Sequence, residues 1–377
     1  MAVESSTRKV RRLCDPFGGS GTSGLAAQFM GIESVSIEVN PFLVDLIAAK
    51  VANYDVRELL NALPRVARRA QVSDKRVDSF FSTLPQTFIE PGRFGRWLFD
   101  AEVAYEIAKI CHSINREKDA IVRRLLTVLL AGNLIEFSNA IVSGKGRRYR
   151  RGWETRRTDP GAVLSRFCDA VARAIVEIDA HKKKSSATAT VIQGDSRKLI
   201  RDVGPVDLVV CSPPYPNSFD YTDVYNIELW MLGYLRSPQE NQTLRRSTLS
   251  SHVQVRREFS APPKTPSISK VLRKLAKVRD KLWDRKLVEM VGGYFADLNI
   301  LLEGSADILR PKGQVWLVVG DSQYAGVRVP VAQTITEMAP SMGLQVRRQE
   351  PFRSMRLSPQ QGGSQQLAES LVILSKK

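Results

Sequence analysis

Two short stretches carry residues whose types and order could do chemistry. At 211–216 the chain reads CSPPYP, directly after the apolar run VDLVV. Proline donates nothing to a sheet ladder and disfavours helix in the residue before it. Ser212, Pro213, Pro214 and Tyr215 therefore end a buried strand with little backbone freedom left. The second stretch, LCDPFGGSGTSG at 13–24, reads as a short strand, a glycine-rich turn and the start of a helix. Glycines let the backbone approach a ligand closely, and a helix N-terminus offers free N–H groups. Gly19, Gly21 and Gly24 satisfy GxGxxG, and Glu38 follows at a distance suited to holding a ribose. A nicotinamide site would leave Asp15-Pro16 and the later prolines without a purpose. A phosphate loop would need a Gly-Lys-Ser/Thr ending, which the turn lacks.

Both stretches must be positioned by a sheet. Short apolar runs bounded by turn residues recur at 34–39 (SVSIEV), 189–192 (ATVI), 207–211 (DLVVC), 314–319 (QVWLVV) and 370–374 (SLVIL). Such runs suit strands buried on both faces, and helical patterns such as SGLAAQFMG and PVAQTITEMAPSMG lie between several of them. The alternation predicts an α/β fold with a Rossmann-like, doubly wound sheet. The middle of the chain differs. Val103, Ile107, Ile110, Ile114, Ile121, Leu125 and Val128 follow a helical period between about 100 and 142, and a second helical pattern covers about 162–178. The expected organisation is a discontinuous α/β domain of residues 1–55 and 187–377. A large helical insertion occupies 56–186, and a smaller basic insertion lies at 236–286 with its helix at about 268–286.

At 377 residues the chain is long enough for two or three domains. Its formal charge of +17 points to a polyanionic partner, with nucleic acid the first candidate. Cys14, Cys111, Cys168 and Cys211 are scattered, as are His112, His181 and His252, which argues against a zinc site and against a disulfide framework. The first sixteen residues hold no apolar stretch suited to a signal peptide, and LLTVLLAGNLIEF is too short to span a bilayer, so a cytoplasmic protein without metal or membrane partner is expected.

The ordered set of motifs resembles the amino-group DNA methyltransferases that use S-adenosylmethionine. In that family a D-P-F-x-G-S-G-T turn binds the methionine part of the cofactor; Asp15, Pro16, Phe17, Gly19, Gly21 and Thr22 match it. The resemblance assigns the ribose hydroxyls to Glu38, and the adenine side to Asp195 with Ser196 in IQGDS. The family's [D/N/S]-P-P-[Y/F/W] strand end is matched by Ser212 to Tyr215. The matching segments cover about 11–45 and 187–235, with weaker likeness through LRPKGQVWLVVGDS. Serine at the first motif position is commonest in the cytosine-N4 members, so the resemblance implies N4-methylcytosine in DNA and a place in a restriction-modification system with a separately encoded restriction partner. Adenine N6 is the alternative, followed by RNA or protein-glutamine methylation, a dinucleotide-dependent oxidoreductase and a non-enzymatic nucleic-acid binder.

The chemistry fits the residues. An exocyclic amino group has its lone pair delocalised into the base, and acceptors that bond its hydrogens push the nitrogen towards a nucleophilic shape. Ser212 Oγ and the Pro213 carbonyl can be those acceptors, and the prolines spare them reorganisation. Tyr215 can stack on an extruded base. Cys211 lacks the Pro-Cys order of carbon-5 cytosine methylation and reads as a strand residue. Asn217, Asp220 and Tyr221 in the following loop are candidates for the base edge. Arg147, Arg148, Arg150 and Arg151, interleaved with Tyr149 and Trp153, suit phosphates and unstacked bases. The family usually runs quickly from the ribose acid to the adenine-side acid, whereas here the helical insertion separates them. Target recognition then has two candidate regions, that insertion and residues 216–290.

Overall fold

A computed structural model of the chain describes residues 2–6, 8–72, 78–143, 146–181, 187–356 and 366–377. The chain divides into two compact units, one of residues 1–44, 185–221 and 242–377, the other of 45–184 and 222–241. The helical unit thus starts earlier than the sequence pattern indicates and also takes a piece that follows the proline strand. Its expected end at 186 lies outside the described residues.

In chain order, β1 (Arg12–Asp15) leads into α1 (Thr22–Phe29), β2 (Glu33–Glu38) and α2 (Pro41–Val51). Asn40 starts α2 by accepting from the Phe42 N–H at 3.0 Å, and proline follows it where a helix has no N–H to lose. The helical unit continues with α3 (Val56–Gln71), α4 (Asp78–Phe81), α5 (Ala101–Asn115) and α6 (Ala120–Phe137). A hairpin of β3 (Ala140–Ser143) and β4 (Gly146–Tyr149) precedes α7 (Gly161–Ala180). The apolar period is realised with one shift: Val103, Ile107, Ile110 and Ile114 are buried on α5, but Ile121 is exposed and Val122 takes its place in the core. The reason is local. Asp119 caps α6, with its side chain accepting from the N–H groups of Ile121 and Val122, and so sets the helix phase afresh.

The α/β unit resumes with β5 (Ala189–Gln193), α8 (Ser196–Leu199) and β6 (Val206–Cys211). The short α9 (Asn226–Met231) belongs to the helical unit, and α10 (Pro238–Ser247) follows it. Then come α11 (Pro266–Lys277), α12 (Leu287–Ile308), β7 (Leu309–Gly320), the hairpin β8 (Ser322–Tyr324) and β9 (Val327–Val329), α13 (Val331–Met338), β10 (Leu344–Arg356) and β11 (Gln366–Lys376). The basic helix expected at 268–286 is therefore α11 and ends earlier, before a short 3-10 turn at Arg279–Lys281.

Seven strands form the central sheet in the order β5-β2-β1-β6-β7-β11-β10. The first five pairings outward from β5 to β7 are parallel, and β11 lies antiparallel between β7 and β10. Alternate residues of each strand serve opposite faces: Cys14, Val209, Leu317 and Val372 pack with α11, α12 and α13, while Leu13, Leu208, Trp316 and Ile373 pack with Ala27 of α1. The sheet is Rossmann-like and doubly wound, but its last strand is wedged antiparallel into the edge. That departs from the all-parallel order of dinucleotide-binding sheets.

The register of β1 against β6 is held by one carboxylate. Asp207, at the start of β6 and buried, accepts the backbone N–H groups of Arg11 at 2.9 Å and Arg12 at 3.1 Å. Arg8 Nε donates to it at 2.8 Å, and Arg310 approaches to 3.4 Å. Burial pushes this carboxyl up, but the backbone donors and the arginines outweigh it and hold the group below the usual range.

A second local feature lies in the helical unit. Phe94 and Gly95 are the two central residues of a hairpin turn, with φ of 54° and 68°. Arg93 N–H donates to Arg96 O at 3.2 Å and Arg96 N–H to Arg93 O at 3.1 Å. Turns with positive φ at both positions favour Asn-Gly, and an aromatic residue held there costs on the order of 1–3 kcal/mol.

The Asp207 clamp gives a direct expectation. Asp207→Asn should lower the unfolding free energy by about 1.5–3 kcal/mol, the worth of hydrogen bonds to a charged group. Because the folded carboxyl is held low, its contribution is complete above about pH 4 and is lost as pH falls through the lowered folded value. Denaturant melts of both proteins between pH 3 and pH 7 should therefore converge at the acid end.

Candidate active site

The order of strands reverses between β1 and β6, which pair as Leu13 with Leu208 and Cys14 with Val209. Ligands of open α/β sheets bind outside the carboxyl ends of the strands at such a reversal. The two stretches singled out in the sequence leave the sheet there, side by side.

The turn after β1 is built on two buried carboxylates. Asp15 accepts the Phe17 N–H at 3.0 Å. Glu38, at the end of β2, accepts the Gly19 N–H on one oxygen at 2.8 Å and the Asn40 N–H on the other at 2.9 Å. Gly19 reaches this position with φ of 51°, in the left-handed region that a side chain would strain. Gly18 donates to Ile37 O and Gly21 to Gly18 O, while Ser20 and Thr22 face each other at 3.3 Å across the entry to α1. Burial lifts Asp15 to about 6, against the hydrogen bonds from Ser23 and Phe17. Burial lifts Glu38 to about 7, against the N–H groups of Asn40 and Gly19 and with some help from the Asp15 charge. Each Glu38 oxygen keeps lone pairs for a further donor.

Asp195 caps α8 through the Arg197 N–H at 3.0 Å and is gripped by the Arg197 guanidinium, with the closest approach 2.7 Å. Arg197 also reaches Asp297 of α12 at 2.8 Å. Ser196 Oγ donates to the Pro16 carbonyl, tying the start of α8 to the turn after β1. Arg197 and Asp297 lacked any signal in the sequence beyond their charge. Asp195 is thus committed on one side to an internal ion network.

At the end of β6, Cys211 is buried and its thiol is pushed well up by burial and by the Asp15 charge, so it is a poor nucleophile. Ser212 is exposed, Pro213 buried and Tyr215 half-buried. Tyr215 Oη donates to Glu369 of β11 at 2.6 Å, and Ser212 Oγ lies 3.4 Å from the same Oη. With the phenol proton given to Glu369, Ser212 is the donor in that pair, and its lone pairs remain for an incoming N–H group. Burial first, and the Glu369 carboxylate second, push the Tyr215 phenol up, so it stays neutral. Glu369 interrupts an otherwise apolar strand, which is the trace it leaves in the sequence.

The next loop is pinned from below by buried Tyr324, whose hydroxyl donates to Pro216 O at 2.7 Å. Asn217 Oδ1 accepts the Phe219 N–H at 3.1 Å, and Tyr221, part-exposed, sets its ring edge-on to Phe219 at 4.9 Å. Asp220 points the other way. It is buried, 2.8 Å from Arg245 and 3.5 Å from His252. Burial pushes His252 down to about 4, with Arg257 and Arg245 adding to it against the pull of Asp220, so the ring is neutral and can accept from Arg257 at 3.2 Å. The expectation that Asp220 faces the base edge is corrected by this network; Asn217 and Tyr221 keep that position.

The basic strip is also redistributed. Gly144 and Lys145 lie outside the described residues. Arg147 is buried in an ion pair with Glu228, both carboxylate oxygens lying within 2.8 Å of its Nη2. Arg150 donates to Ser138 O and Ile135 O, closing the C-terminus of α6. Trp153 is buried between Trp97 at 5.1 Å and Tyr149 at 4.8 Å. These groups serve the fold, which corrects their reading as phosphate or base contacts. Arg148 and Arg151 remain exposed.

Among the described residues, no group of three or more His, Cys, Asp or Glu side chains converges on a metal site, and no helix is long and apolar enough to cross a membrane. No family model matches the chain. It is 22% identical to the type II methyltransferase M.BsoBI of Geobacillus stearothermophilus, over 94% of this chain and 76% of that protein. It is 23% identical to the type II methyltransferase M.AvaI of Nostoc sp. strain PCC 7120 and to its counterpart in Anabaena variabilis, in each case over 92% of this chain and 76% of the relative.

The two kinds of arginine separate in a stability measurement. Arg147→Ala leaves the Glu228 carboxylate buried without its guanidinium, and should cost about 3–5 kcal/mol in urea melts. Arg148→Ala and Arg151→Ala should each stay within about 0.5 kcal/mol of the parent.

Proposed function

We propose that the chain is a site-specific DNA methyltransferase that transfers a methyl group from S-adenosylmethionine to the exocyclic N4 amino group of cytosine. The observation that carries this reading is the meeting of the acidic glycine turn and the Ser-Pro-Pro-Tyr strand end at one strand-order reversal. Likeness to type II methyltransferases along nearly the whole chain supports it. So does the charge of +17, suited to a polyanionic substrate.

The residues fit the cofactor. Glu38 is buried, raised to about 7, and has lone pairs left for two ribose hydroxyls. The Asp15 carboxylate and the N-terminus of α1 suit the charged methionine end, and Asp195 with Ser196 borders the adenine side. S-adenosylmethionine supplies an electrophilic methyl group at this place. Ser212 Oγ and the Pro213 carbonyl accept the two amino hydrogens of the target base and draw its nitrogen towards a tetrahedral shape. Glu369 acts through Tyr215 as a positioning residue, orienting both the ring that stacks on the base and the Ser212 hydroxyl. No general base is needed beforehand, because the amino nitrogen becomes strongly acidic once it carries the methyl group and a positive charge. The type II designation of the relatives supports a role beside a separately encoded restriction endonuclease.

Single-turnover transfer tests the mechanism. Ser212→Ala should lower it by roughly 10- to 1,000-fold, the loss of one preorganised acceptor, with cofactor affinity nearly unchanged. Mass spectrometry of digested DNA should find N4-methylcytosine; N6-methyladenine alone would overturn the base assignment and leave the mechanism standing. Calorimetry that detected nicotinamide dinucleotide but no S-adenosylmethionine binding would overturn both.

The raised carboxyls add a pH dependence. Ribose hydroxyls favour the ionised Glu38, so cofactor binding should tighten as pH rises through about 7 and release protons on binding. With that midpoint, affinity at pH 6 should be about tenfold below its value at pH 8, and Glu38→Gln should flatten the profile.

A further inference from the structure

The most exposed large hydrophobic residue of the chain's described part is Phe94, at 90% of its full accessibility. It sits at a tip whose backbone disfavours it. Both central residues of the turn have positive φ, and asparagine in place of Phe94 would relieve the strain and the exposure together. Strain retained at an exposed aromatic residue points to a use for the ring.

The tip is held firmly. A Cβ on Gly92 would come within 1.9 Å of Arg96 O, so the strands of the turn close tightly. Below it, Glu90 N–H donates to Phe99 O at 3.0 Å and Phe99 N–H to Phe88 O at 2.8 Å, with both phenylalanines buried. Trp97 donates to Asp100 at 3.0 Å and packs on Trp153, which packs on Tyr149. One aromatic cluster thus supports both the tip and the strand that carries Arg148.

The surroundings are cationic. Segment 91–97, PGRFGRW, has two arginines and no acidic residue. The Arg93 guanidinium lies 5.0 Å from the centre of the Phe94 ring, and Arg93 and Arg96 are both exposed. Burial raises the Tyr149 phenol and the Arg96 charge opposes it, which places Arg96 towards Tyr149 and its neighbour Arg148.

We infer that Phe94 is a wedge that enters duplex DNA between base pairs and assists extrusion of the target base, with Arg93, Arg96, Arg148 and Arg151 on the flanking phosphates. Apolar side chains that part base steps need one projecting ring on a rigid support and cations beside it. A protein partner would need about 800 Å² of surface on this side, far more than a four-residue tip presents. The inference rests on the proposed DNA substrate and adds to it the group that works on the duplex.

The decisive variant is Phe94→Asn, which suits the turn better than the native residue. Its thermal midpoint should equal or exceed that of the parent. Single-turnover transfer to a paired target should fall about 10- to 100-fold, and the fluorescence of 2-aminopurine at the target position should lose its rise on binding. A mismatched target, which costs less to extrude, should recover most of the loss, and Phe94→Leu should restore part of the paired rate. Equal paired rates and equal fluorescence in Phe94→Asn would overturn the wedge, as would equal losses on paired and mismatched duplexes. A changed oligomeric state with unchanged DNA behaviour would assign the tip to a protein contact. If the parent transfers methyl groups to no DNA, the proposed function fails, and the binding and fluorescence comparison still decides the wedge.

Discussion

One buried carboxylate, Asp207, sets the frame for everything at the other end of the sheet. By taking two consecutive backbone N–H groups from the chain entering β1, it fixes which residue of β1 lies beside which residue of β6. A slip of one residue would turn every side chain of β1 to the opposite face. Cys14 and Leu13 would exchange faces, and Asp15 would no longer point into the turn with Glu38. The chemistry at the carboxyl ends therefore depends on a clamp at the amino ends, where no ligand is expected. Rigid prolines hold a geometry only if the strand that carries them is itself in register.

The buried acids at the site obey a different rule from Asp207. The clamp carboxylate has enough donors to be held low, whereas Asp15 and Glu38 are underprovided and pushed up by burial. A carboxylate that is buried but incompletely satisfied costs stability near neutral pH, because the folded protein disfavours its charge. Hydroxyl and ammonium donors from a ligand would complete the set. The same residues that weaken the fold thus prepare it to bind.

Much of the architecture is legible in the sequence because it follows from apolar runs. β2, β5, β6, β7 and β11 all contain the segments whose composition marks them as buried strands. β10 carries no such mark. It is an edge strand, mostly exposed, with charged residues and a register shift beside Pro351, and such a strand looks like a loop. The middle of α12 is similarly disguised by Gly292 and Gly293; the reason appears only in three dimensions, where Phe259 packs against Gly293. At the site, the contiguous motifs are legible, but Arg197, Asp297 and Glu369 act through partners far away in the chain. Composition also cannot separate Arg147, paired and buried, from Arg148 one position on, exposed. Alternation along β4 decides that difference.

The helical unit is made of two pieces of chain, 45–184 and 222–241, and buried polar contacts join them. Arg147 of the first meets Glu228 of the second, and Asp45 of the first accepts from Tyr234 of the second at 2.7 Å. Exchange of the long piece alone between related proteins would leave a buried charge in each half without its counterpart. Recombination can therefore move this unit between scaffolds only as a matched pair of segments, one of them close behind the Ser-Pro-Pro-Tyr strand end. Inheritance of whatever the helical unit reads is tied to the chemistry it serves.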